Sequence, residues 1–525
     1  MTTRYVSLEN IFSSFRSVYR TLSSSKKSGN PSWPILKLQV LAGSLFLVCV
    51  CAASASFAAV DQVTSLADNG LPGTLRTQIA AAVPGDTIVF SVRGTITLKL
   101  GPLEIQKNVI ISGPGETKIF IDGAGLFNVF QVDSGVAAVI SGVTIENGYA
   151  SRAIGGGGVN NQGALALIST TVSNNIQNED GANGEGIYNG GILTLLSSSV
   201  SDDISSNDGA GVYNAGTLEI IGSTVSNNGG GLPGASGGGI YNASGGKLTV
   251  VSSTISDNGV HDGGQGAGIY NDGSLNVLTS TISDNDDFSG SGAGIYNSGS
   301  LSVLSTTFSG NSSIGDFGGA IYNDGVATVL KSTLTGNSAT EGNWGGAIFN
   351  DGTLTIINST LSANTTDSGR GGAIYNFSGT VVMSFSTVSA NSADDGGAIY
   401  NEGTLTLKST LLAGQSSGGN CFEAGTGSAS SDGYNLSDDS TCTFLTQTGD
   451  QNNSTTAGLS PSGLQNNGGP TQTIALLSTS SALNAIPVGA CTDTIGNKIN
   501  TDQRGVKRPQ GSGCDIGAFE LAMKK

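Results

Sequence analysis

Residues 156–412 repeat one phrase ten times. It runs Gly-(small)-Gly/Ala-Ile-Tyr-Asn-x-Gly-x-Leu-Thr-Val-x-x-Ser-Thr-Ile-Ser-x-Asn, with copies spaced 25 to 29 residues apart. Clear copies begin at Gly237, Gly266, Gly292, Gly318, Gly345, Gly371 and Gly396, and weaker ones at Gly156, Gly184 and Gly209. A period of that length means stacked supersecondary units that cannot bury their apolar faces alone. Within each copy the pattern alternates. In Leu275-Asn276-Val277 the two apolar residues share a side, and in Ile269-Tyr270-Asn271 the Ile and Asn do. Period two means strands. No apolar stripe of helical spacing separates the copies, so helical and leucine-rich solenoids do not fit.

Three short strands per turn of about 26 residues, each turn lying on the last, make a parallel β-helix, right-handed by the resemblance given below. Equivalent residues then stack at about 4.8 Å. Leu and Ile are expected inside. Asn242, Asn271, Asn297, Asn323, Asn350, Asn376 and Asn401 are expected to form a structural ladder whose amides satisfy backbone groups of neighbouring coils. Insertions fall between Ser-x-Asn and the next Gly run, as at Gly259 to Gly264, so loops are expected at one corner. Gly73 to Ala82 reads as a short amphipathic helix capping the N-terminal end. The expected organisation is a signal at 1–58, an N-terminal cap at 59–99, repeats at 100–415 and a disulfide-containing C-terminal cap or small separate domain at 416–525.

Composition agrees. Gly supplies 81 of 525 residues and charged residues only 12%. Gly at no fixed third position and 11 Pro exclude collagen. A net charge of −17 argues against a nucleic-acid partner, which needs clustered Lys and Arg. Residues 1–58 hold six basic residues and one Glu, then an uncharged run from Val40 to Ala53 and small residues. That is the order of an export signal, with an uncleaved membrane anchor as the alternative. The expected location is extracellular or on the cell surface, with membrane contact only through export or that segment. Cys421, Cys442, Cys491 and Cys514 lie in the last quarter, without metal-site spacing. In an exported chain they read as two disulfides, and neighbour pairing closes the shorter loops.

The whole resembles the bacterial right-handed parallel β-helix surface proteins. The GGAIYN copies, with Phe308-Ser309-Gly310-Asn311, partly resemble the repeats of chlamydial polymorphic outer-membrane proteins. The tail is similar to the choice-of-anchor Q domain: Leu464 to Thr471 (LQNNGGPT), Thr501 to Gly505 (TDQRG), Arg508-Pro509, and Cys514 to Glu520 (CDIGAFE). Members often carry a sorting signal beyond this tail. Here five residues follow Glu520, and no anchor is expected. The resemblance implies a surface protein, usually without assigned activity.

No catalytic constellation stands out in the sequence. Asp202-Asp203, Asp286-Asp287 and Asp394-Asp395 are adjacent pairs such as a glycosidase needs, but each falls at or just after the Ser-x-Asn turn, where Asp replaces Asn. Arg152 and Arg370 are the arginines of the repeat region, far apart, and His261 sits by Asp262 in an expected loop. No helix follows the Gly runs, so they are not dinucleotide loops. No cofactor is expected, and weak calcium binding by acidic loops stays open. The Tyr positions form one column. Tyr241, Tyr270, Tyr296, Tyr322, Tyr375 and Tyr400 are either core or a ligand stripe. The expected function is non-enzymatic adhesion or surface interaction, with a polysaccharide or surface protein as partner. The alternatives are a polysaccharide lyase or glycoside hydrolase, and a structural spacer.

Overall fold

The computed structural model describes residues 59–150, 155–176, 182–230, 234–341 and 343–522. The expected signal segment and Arg152 lie outside them. The chain is all-β and forms a right-handed parallel β-solenoid. It divides into two compact units, one of residues up to 230 with 239–254, the other of 234–238 with 255–522.

In both units each coil of the repeat region contributes one strand to each of three parallel sheets. The Leu-Thr-Val segments, as in Thr353–Ile357, build the first sheet, the Ile-Tyr-Asn segments, as in Ile348–Asn350, the second, and the Thr-Ile-Ser segments, as in Thr360–Ser362, the third. Register is maintained residue for residue: Ile295, Tyr296 and Asn297 pair with Ile321, Tyr322 and Asn323. A one-residue slip would turn the Ile column outward, so the alternation fixes this register. A fourth, short ladder occupies the corner expected to be only loop. In the second unit it includes Gly259–His261, Asp286–Phe288, Ser312–Ile314 and Ser338–Thr340.

The interior is layered. Apolar columns such as Val303, Val329, Ile356, Met383 and Leu407 are fully or almost fully buried. Two amide columns run beside them. Asn297, Asn323, Asn350 and Asn376 each donate Nδ2 to Oδ1 of the Asn one coil on, at 2.7–2.8 Å. The Asn of Ser-x-Asn forms the second column. Asn311 donates to Oδ1 of Asn337 at 2.8 Å and to the Ile282 carbonyl at 3.0 Å, and the backbone N–H of Asn311 donates to Asn337 Oδ1. Each amide thus joins consecutive coils where strand hydrogen bonding stops at a corner.

Three corners per coil use left-handed backbone. The first is the Gly opening the phrase: at Gly345, φ is 74° and a Cβ would lie 2.5 Å from the Ile348 carbonyl oxygen. The second is the x of Ser-x-Asn, filled by Asn, Asp, Gly or Ala, as in Asp202, Gly336 and Ala363. The third joins the first and third sheets and holds Ser305, Lys331, Asn358 and Phe385, at φ of 49–53°.

At the N-terminal end Thr74 caps the helix Leu75–Ala81 by accepting from the Thr77 N–H, and Leu75 and Ile79 face inward. Arg76 clamps this cap through Asp68 at 2.7 Å. At the other end the ladders continue past the expected boundary at 415, through Cys421–Glu423, Ser428–Ser431 and Leu436–Ser437. Cys421 pairs with Cys442 and Cys491 with Cys514. The tail then turns back along the outer face of the third sheet. Thr333 Oγ1 donates to the Gln472 carbonyl, Thr360 Oγ1 to Gln503 Oε1, and the Ala518 N–H to Thr387 Oγ1, at 2.7–2.9 Å.

Candidate functional site

The column that could touch a ligand follows from strand alternation. In Ile295–Asn297 the Ile and Asn are buried and the Tyr half-exposed, so the aromatic column lies on the outer face of the second sheet. Its rings stack on one another. In the first unit Tyr188, Tyr213 and Tyr241 stand 5.1–5.3 Å apart, within 8° of parallel. In the second unit Tyr270, Tyr296, Tyr322, Phe349, Tyr375, Tyr400 and Phe422 follow at 4.7–5.3 Å. Stacking at that separation covers the ring faces and leaves edges and hydroxyls for solvent. Burial pushes the Tyr296, Tyr322 and Tyr375 hydroxyls up, helped by neighbouring phenols at Tyr296, by Asp351, Asp324 and Asp316 at Tyr322, and by Glu402 at Tyr375, with Tyr322 reaching about 12.

In the second unit the column changes character. The residue before the phrase-opening Gly is Gln265 and Ser291 in earlier coils, then Phe317, Trp344, Arg370 and Asp395. Phe317 stacks on Trp344 at 5.0 Å and on Phe349 at 4.8 Å, and Trp344 stacks on Tyr375 at 4.8 Å. Beneath this second layer Phe349, Tyr375 and Tyr400 fall to 3%, 0% and 4% exposure. The Arg370 guanidinium carbon lies 5.7 Å from the centroid of Trp344 and 5.0 Å from that of Tyr400, and Nη1 is 3.8 Å from Glu402 Oε1. Two rings stay open to solvent on this face: Phe377, just after Asn376 in the phrase, at 41%, and Phe422 at 39%. Both touch the stack, Phe377 through Tyr375 and Phe422 through Tyr400. The outer layer was legible as a break in the repeat, because one small or polar phrase position becomes Phe, Trp and Arg in three consecutive copies.

The acidic pairs do not converge. Asp202 is exposed at its left-handed corner while Asp203 points inward, and Asp286 is exposed while Asp287 points inward. Alternation along a strand sends neighbouring carboxyls to opposite sides, the wrong arrangement for gripping one bond. Asp394 and Asp395 both lie at the surface, and the backbone at Asp395 bridges that at Arg370. His261 is exposed on the fourth ladder, 6.4 Å from the Phe288 ring. Periodicity left one buried acid unnoticed: Glu185 fills a phrase position that is Gly or Ala in the other copies, and neither carboxyl oxygen has a partner. Among the described residues no three His, Cys, Asp or Glu side chains are grouped to hold a metal.

Residues 152–333 match the family model described as right handed beta helix region. No curated protein matches the sequence. Similar solved structures include a mannuronic acid specific polysaccharide family 6 lyase from human gut microbiota, at 10% identity over 63% of this chain and 86% of that one, with a TM-score of 0.39. The PL6 family alginate lyase AlyGC is similar at 12% identity, over 85% of this chain and 60% of that one, with a TM-score of 0.43. Pectate lyase Pel9A is similar at 15% identity, over 89% and 98%, with a TM-score of 0.32. The present chain thus spans about six tenths of the alginate lyase. Likeness at this level says nothing about chemistry.

Proposed function

We propose that this chain is an exported, surface-acting β-helix that binds an extended carbohydrate along the outer face of the second sheet, without cleaving it. One observation carries the reading. Phe317, Trp344 and Arg370 add an outer layer to a column that stacks without them elsewhere, and Phe377 and Phe422 remain exposed beside it. Exposed aromatic rings next to paired hydrogen-bonding charges suit a sugar, whose apolar face stacks while its hydroxyls bond to the rim. The expected partner is therefore a polysaccharide, and the acidic exterior speaks against nucleic acid.

The test incubates the purified chain with a panel of polysaccharides, with and without calcium. Retention is followed together with new reducing ends and unsaturated-product absorbance. Retention without turnover is the expected outcome. Turnover would replace this reading with the lyase or hydrolase alternative, and absence of both would leave a spacer.

A further inference from the structure

Resting on that reading, we infer that the carbohydrate taken at the Arg370–Glu402 patch is uncharged. Phe377 and Phe422 present the open rings, and their strands lie two coils apart, roughly 10 Å at the parallel-strand spacing. Two linked pyranose rings have about that reach. Between them the Arg370 guanidinium crosses Tyr400 toward Glu402. The Arg370 side chain is 42% exposed, so its outer N–H groups and the Glu402 oxygens offer donors and acceptors side by side, as a sugar diol requires.

Charge decides between glycan classes. Asp351 lies one coil before Phe377, at the same phrase position, and Asp395 pairs with Arg370 through the backbone. With Glu402 these give three carboxylates against one guanidinium, which Glu402 already engages. A uronic acid polymer would bring a carboxylate per sugar into this surplus and meet repulsion. A neutral glycan instead donates hydroxyls to it at no electrostatic cost. Within a chain of net charge −17 the wider field has the same sign.

The experiment uses the purified full chain and affinity electrophoresis in gels containing an uncharged β-glucan, an uncharged mannan, alginate or polygalacturonate, at low and at high salt. Wild type is compared with Phe377→Ala, Phe422→Ala and, as a control, Phe288→Ala, an exposed ring on the fourth ladder. A thermal melt verifies that each variant is folded. At least one neutral glycan should slow migration independently of salt, and each patch variant should weaken that retention about tenfold or more while the control does not. Retention by alginate or polygalacturonate in preference, relieved by salt and lost in the patch variants, would overturn the inference and leave the binding reading standing. No retention by any polymer, or retention unchanged in folded patch variants, would sink both.

Discussion

Single residues within the columns decide how well a coil closes. Asp203 occupies an Asn position of the second amide column. Its Oδ1 accepts the N–H and Nδ2 of Asn175, both at 2.8 Å, while Oδ2 has no partner. Asn228, one coil on, donates Nδ2 to the Val200 carbonyl at 3.1 Å, and a carboxylate cannot do this. Burial therefore pushes Asp203 well above the usual carboxylate range. Replacing it with Asn restores the donor, and Asp203→Asn should raise stability at pH 7 by about 1–2 kcal/mol in chemical denaturation. Asp287 is a related case without a ladder partner. Burial, with Asp316 and Asp286 nearby, pushes it up to about 9. Below about pH 4 both folded and unfolded chains hold this proton. Between pH 4 and 9 the unfolded chain loses it first, so stability falls with rising pH and levels off above 9. Ala339 and Ala393 point inward with little or no exposure where later coils carry this segment. Asp287→Ala should thus flatten the profile from pH 4 to 9 and stabilise by roughly 1–4 kcal/mol at pH 7. A melting series that kept the wild-type slope would show that Asp287 is not its source.

At the level of elements, repeat and corner chemistry differ in how clearly they are written. The three main strands per coil follow from alternation alone, because Ile and Asn must face inward together. The corner between first and third sheets was not legible. Ser305, Lys331, Asn358 and Phe385 all adopt positive φ there, and nothing about Lys or Phe announces it. The fourth ladder was hidden for another reason. Segments such as Gly259–His261 vary in composition and pair only because the coils around them hold them in register. The Ser-x-Asn corner can be tested directly. Ala363 has φ of 58° where Gly310 and Gly336 stand in earlier coils. An L-residue pays about 1–2 kcal/mol for that backbone, so Ala363→Gly should gain about 1 kcal/mol despite its more flexible unfolded state. Of the candidate site, the Tyr column could be read from sequence, but its orientation and the mutual covering of its faces could not. Those depend on how closely the coils stack.

For the molecule as a whole, the tail is the non-repetitive part and the most tightly specified. Its TDQRG, Arg508-Pro509 and CDIGAFE segments are consumed internally. Arg508, in the buried interior, donates to Glu520 and to the Asp515 and Gly517 carbonyls and lies 4.8 Å from the centroid of Phe385. Arg504 pairs with Asp502 at 2.6 Å and stacks 3.5 Å from the centroid of Phe519. Gln503 is fully buried, with Nε2 within 3.2 Å of Ser332, Thr333, Thr471 and Gln472 oxygens. Gln503→Ala strands these groups, and limited proteolysis should then release the tail at protease levels that leave wild type intact, for a loss of about 2–4 kcal/mol. The seat of the tail fixes coil number only where it binds. Residues 266–291 and 345–370 are each one period of 26 residues. Deleting the first removes a coil upstream of the tail's bonds to Lys331, Thr333, Thr360, Thr387 and Lys408, and a shorter, folded protein is expected. Deleting the second brings the wrong residues beneath Gln503 and Ala518, so the tail should detach. The solenoid is thus free to change length by whole periods upstream and is held to a fixed count beneath its own tail, like a tape measure clamped at one end.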